Sequence, residues 1–129
     1  MIVKSLNDVI GSPDHASGDG WDSRRLLLAR DGLGYSLHDT VVAEGQALEL
    51  EYKNHVETNY CIAGEGTVTN SLTGEVFPLE PGTVYVLDQH DPHVLSAVTG
   101  DLRLVCVFTP ALCGEETHDA DGGYASADD

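Results

Sequence analysis

Short runs that alternate apolar with polar residues, cut at close spacing by glycine and proline turns, constrain this chain more than any other feature. The β-type runs fall at 24–28, 35–42, 47–52, 58–63, 66–70, 75–78, 83–87, 93–97 and 102–108. Leu48, Leu50 and Tyr52 alternate with Glu49, Glu51 and Lys53, and Leu102, Leu104, Cys106 and Phe108 with Arg103, Val105 and Val107. Each run therefore has one face for a core and one for solvent. Gly64-Glu65-Gly66, Leu72-Thr73-Gly74 and Pro81-Gly82 read as turns, where glycine permits positive φ and proline presets the bend. Helix is nearly absent beyond a turn near residues 6–10. This pattern predicts an all-β fold, a small jelly-roll-like barrel, and closing it would leave no exposed strand edges.

A chain of 129 residues has room for one domain, expected to span residues 1–129. Its ordered core is expected to reach about residue 118, with an acidic tail over 114–129, and the Gly-, Ser- and Asp-rich residues 7–20 are expected to move. No apolar run is long enough to span a bilayer and the start lacks signal-peptide character, so the expected location is the cytoplasm, without membrane contact. Cys61, Cys106 and Cys113 lack CxxC spacing and read as reduced thiols, the first two in the core. With 22 acidic side chains against 6 Lys and Arg, a net charge of −16 repels phosphate backbones, which excludes nucleic acid as a partner. Such a surface suits a saline interior.

The chemistry concentrates in two stretches. His55 and Glu57 stand two apart on a strand and share a face, where imidazole and carboxylate could hold a cation. After one hairpin come Pro81-Gly82-Thr83-Val84-Tyr85, then His90 and His93. The order H-x-E, G-x-G, P-G-x-x-Y and histidine resembles the two motifs of cupins, which supply metal ligands from neighbouring strands. A donor set of oxygen and nitrogen without thiolate favours iron, manganese or zinc.

A closer resemblance covers the chain to about Tyr124. It is carried by Trp21-Asp22-Ser23-Arg24-Arg25-Leu26-Leu27-Leu28, Ser36-Leu37-His38-Asp39-Thr40, Tyr52-Lys53-Asn54-His55, Tyr60-Cys61-Ile62-Ala63-Gly64-Glu65-Gly66, residues 81–93, Leu104-Val105-Cys106-Val107-Phe108 and His118-Asp119. These blocks resemble the ectoine synthase family, cupins that close N-γ-acetyl-2,4-diaminobutyrate into ectoine, a cyclic osmolyte. The resemblance implies a hydro-lyase acting on a small molecule for osmoprotection, as a halophile needs, and a homodimer. It further implies that Glu57, Tyr85 and His93 bind a catalytic iron, Fe(2+), with His55 and His90 outside the ligand set. A substrate pocket of Trp21, Arg25, Thr40, Tyr52, Cys106 and Phe108 is implied too, with Glu116 and His118 reaching over from the tail. Two departures stand out: Thr109-Pro110-Ala111-Leu112-Cys113-Gly114 replaces the more usual Asn-Pro-Pro-Leu-Thr-Gly, and residues 98–101 are one longer.

Ring closure needs a polarised amide carbonyl, a neutral amine and a proton carrier, and a metal acting as Lewis acid answers the first need. With Glu57 engaged by the metal, proton transfer is expected of Tyr52. Arg25 suits the substrate carboxylate. Two other readings are a cupin dioxygenase or isomerase, and a non-catalytic cupin that binds an osmolyte.

Overall fold

Two strands longer than the alternation predicts organise the molecule, whose computed structural model describes residues 1–114. Strand β5 runs unbroken over Val56–Asn70, through the glycines read as a turn, and β8 runs over His93–Thr109. The remaining elements in chain order are the one-turn helix α1 (Leu6–Val9), β1 (His15–Gly18), β2 (Trp21–Leu27), a 3-10 turn (Ala29–Asp31), β3 (Ser36–Val42), β4 (Ala47–Leu50), β6 (Val76–Leu79) and β7 (Val84–Leu87). Helix is as scarce as expected.

Gly64-Glu65-Gly66 makes a bend because the pairing register shifts between Cys61 and Gly66, with most of the extra residues on β8, while both strands continue. Gly64 adopts φ +77°, and a Cβ on Gly66 would sit 2.0 Å from the Ser96 carbonyl oxygen. Only glycine tolerates both the conformation and the close approach. Below the bend β5 pairs with β7 and the second half of β8; above it, with β6 and the first half of β8. One antiparallel sheet thus folds over into two layers, β1-β2-β3-β8-β5-β7 and β4-β8-β5-β6.

The hydrogen-bonded sheet does not close, which corrects the expectation of a sealed barrel. Its ends are blunted instead: β1 is short, and β6 carries Pro78. Residues 7–20 also depart from expectation. Their turn-rich composition makes tight turns, and β1 is tied to β2 through strand pairing, a His15–Asp22 pair and the bond from Arg25 N–H to the Asp14 carbonyl, 3.0 Å. Glu116, His118 and the end of the expected core lie outside the described residues.

Between the layers, Leu28, Val42, Leu102, Leu104 and Phe108 meet Leu50, Val68, Leu79 and Leu95. Each such side chain contributes roughly 1.5–3 kcal/mol on burial. The alternation of Leu102, Leu104, Cys106 and Phe108 inward is as expected, and Cys61 is buried with them. On the outer face, Asp39 accepts from Arg24 and Arg103, each at 2.6 Å. Arg24 is therefore part of an ion network and not plain surface.

Gly66→Ala should lower unfolding free energy by about 2 kcal/mol or more, because strand approach there leaves no room for a methyl group. Denaturant titration checks this, and the exposed Gly74→Ala, with nothing near its Cβ, measures the cost of positive φ alone.

Candidate active site

Polar side chains cover much of the inner face of the first layer, where an ordinary core would be apolar. Strand pairing arranges them in rows that run across the strands. One row is Arg25, His38, Cys106, Asn59 and Tyr85, from β2 through β3, β8 and β5 to β7. The next is Ser36, Phe108, Glu57 and Leu87. Ser23, Thr40 and Leu104 lie on the other side. The second layer adds His93, at the start of β8 opposite Leu50 and Asn70, and Tyr52 follows β4.

These rows line a cleft that is open to solvent at its mouth, mostly apolar with a few convergent polar groups, as small-molecule sites are. It brings together Trp21, Thr40, Tyr52, Glu57, Cys106 and Phe108 from the sequence reading. Tyr85 and His93 line an adjoining hollow with Asn70 and Phe77. Tyr52 links the two, its ring edge-on to Phe108 at 5.1 Å between centroids and 6.0 Å from His93. Arg25 is buried at the end of its row, donating from Nη1 to the Gly114 carbonyl at 3.0 Å.

Histidine roles follow from their partners. His90 carries its proton on Nδ1, since that atom faces two acceptors, the carbonyls of Tyr52 and His55 at 2.9 and 3.1 Å. It braces the segments that carry Tyr52 and His55. His55 is buried with its ring edge-on to Phe108 at 6.0 Å between centroids. His93 donates from Nδ1 to the Asp91 carbonyl at 2.9 Å, which leaves Nε2 as a bare lone pair.

That Nε2 and the Tyr85 hydroxyl are buried without a hydrogen-bond partner among the described residues. Burial pushes the Glu57 carboxyl up to about 7, against the pull of Asn59 and Cys106. Burial, and then the Glu57 charge, raise the Tyr85 phenol well above its usual range. Burial lowers His93. A carboxyl, a phenol and an imidazole lone pair, all buried and the latter two unpartnered, fit a hard or borderline cation. No three His, Cys, Asp or Glu gather as a metal site among the described residues. Burial first, then the Glu57 charge, also raise the Cys106 thiol well above its usual range, which disfavours the thiolate.

Sequence reasoning missed three polar wall residues, Ser23, His38 and Asn59. Each stands two residues from one it named, Arg25, Thr40 and Glu57, and so shares its face. Strand periodicity carried that signal.

The chain matches the family model described as ectoine synthase over residues 1–128. It belongs to the ectoine synthase family. It is 53% identical over 124 residues to the L-ectoine synthase of Oceanobacillus iheyensis, covering 96% of each chain. The crystal structure of ectoine synthase from P. lautus matches with a TM-score of 0.87 and 47% identity, over 95% of this chain and 87% of that one. The Cupin_2 domain of an XRE family transcriptional regulator from Enterobacter cloacae, 16% identical, aligns with a TM-score of 0.60 over 70% of this chain and 96% of that one. That likeness reaches the fold alone: this chain has the architecture of a cupin domain. No described helix is long and apolar enough to cross a membrane.

His38 gives the cleft a pH signature. Burial first, then the charges of Arg25 and His55, lower it from 6.5 to about 3. The folded protein therefore favours neutral His38, a contribution complete above pH 6.5 and lost as pH falls toward 3. His38→Asn should lose less stability than wild type between pH 6.5 and 4, read as the difference between their denaturation midpoints.

Proposed function

We propose that this chain closes N-γ-acetyl-L-2,4-diaminobutyrate into ectoine within the cleft, with loss of one water, on an iron ion held by Glu57, Tyr85 and His93. Ectoine synthesis follows from family membership, and the chain is a hydro-lyase of that kind. The observation that carries the metal reading is the pair of buried, unpartnered donors, Tyr85 Oη and His93 Nε2. Zinc and manganese also suit an oxygen and nitrogen donor set. When bound, the ion supplies Lewis acidity to the acetamide oxygen without a change of oxidation state.

The rest is the work of side chains. The α-amine nitrogen bonds to the acetamide carbon, and the carbonyl oxygen departs as water with the two amine hydrogens, leaving C=N. Tyr52, on the cleft wall, is assigned the proton transfer from amine to departing oxygen, since Glu57 gives its charge to the ion. Arg25 is assigned the substrate carboxylate through its planar fork. Thr40 and Cys106 border the bound chain, while Trp21 and Phe108 form apolar walls that keep competing water out. Holding amine and carbonyl together is worth several kcal/mol by proximity.

A homodimer is supported by the outer face of β5 and β7, where Tyr60, Ile62, Val84 and Val86 stay exposed. Cytoplasmic work in a saline cell fits the charge of −16.

The test is incubation with iron and the acetylated diamine without oxygen. Ectoine formed there supports the reading; consumption only with oxygen, or binding without turnover, overturns it. Glu57→Ala and His93→Ala should each remove the bound metal and lower kcat/KM about a thousandfold or more, measured as iron per chain and initial rate.

A further inference from the structure

Asn59 is left without a role by this reading, although it lies in the same row as Arg25 and Tyr85 and lines the cleft. It is 1% exposed, and neither Oδ1 nor Nδ2 makes a hydrogen bond of ordinary length and angle among the described residues. Burying a carboxamide in that condition is costly, so a native protein keeps one where something else completes it. We propose that Asn59 is a specificity-determining residue whose Oδ1 accepts a hydrogen bond from the acetamido N–H of the substrate. This rests on the reading above and extends it to the nitrogen that the metal does not touch.

The orientation follows from chemistry. In the reading above the acetamido oxygen goes to the metal, so the acetamido group has only its N–H left to offer, and a carboxamide meets a donor through its oxygen. Oδ1 is then the acceptor for the ligand. Register supplies the direction: Arg25, His38, Cys106 and Asn59 are successive cross-strand partners. Three strand spacings of about 4.8 Å place the Arg25 and Asn59 backbones about 14 Å apart. The arginine stem and the substrate folded for ring closure together fill that distance, because the carboxylate-bearing carbon and the acetamido nitrogen stand at opposite corners of the six-membered ring being closed. The α-amine lies one carbon from the carboxylate, at the Arg25 end, so the donor that reaches Asn59 is the acetamido N–H.

The contact also survives the reaction. Both hydrogens lost with the oxygen come from the amine, so the acetamido N–H persists into the amidine. Positive charge spread over the amidine nitrogens strengthens that N–H as a donor, which places Oδ1 where charge develops.

The ester isostere O-acetyl-L-homoserine, with oxygen in place of this N–H, isolates the contact. Its inhibition constant is compared with the substrate KM for the iron-loaded enzyme and for Asn59→Val. In the wild type the ester should bind about 10- to 100-fold more weakly than the amide, because it leaves Oδ1 unpaired. In the variant the two should agree within about threefold, through a raised KM, with iron content unchanged. Asn59→Ser serves if the valine variant does not fold. Equal affinities in the wild type, or an unchanged ratio in the variant, overturn the role of Asn59 and leave the cyclase standing. A wild type that forms no ectoine overturns the cyclase first.

Discussion

The pairing of β5 with β8 through both layers is the interaction on which the rest depends. Below the glycine bend it fixes Glu57 beside Phe108 and Asn59 beside Cys106; above it, His93 opposite Asn70. The two ends of the site thus share two strands, so a shift of register would turn every one of these side chains to the outer face. Gly64 and Gly66 let the strands fold over without breaking their ladder. The cleft is what remains between the layers where polar groups, and not leucines, line the wall.

Those polar groups lie where water is scarce, and their protonation follows. Glu57 is pushed up and His38 and His93 down, each toward the neutral form. A cation among Glu57, Tyr85 and His93 would reverse that balance by favouring carboxylate and phenolate. The acid-rich exterior obeys another rule. There Asp39 meets burial that would raise it, but Arg103 and Arg24 prevail and hold it below the usual range.

Residues with a strong local pattern were readable before any coordinates. Leu102, Leu104, Cys106 and Phe108 point inward as their alternation demands, and Cys61 lies in the core. Gly64-Glu65-Gly66 was misread because a hairpin and a bulged bend call for the same residue type; the difference lies in whether β8 continues opposite. Residues 7–20 have the composition of a mobile segment, yet β2 supplies hydrogen-bond partners that composition cannot show. His38 and Asn59 carry no motif, and only their place beside Arg25, Cys106 and Glu57 gives them meaning.

The sequence by itself determined which residues share a strand face, where chain direction changes, and which donors are available to a metal or an amide, since these depend on neighbours along the chain. Tertiary structure alone decided that Tyr85 Oη and His93 Nε2 are buried without a hydrogen-bond partner among the described residues, that Arg25 and Asn59 share one row, and that the sheet folds over without closing. Those facts depend on register between strands far apart in the chain, which side-chain alternation constrains only to one of two faces.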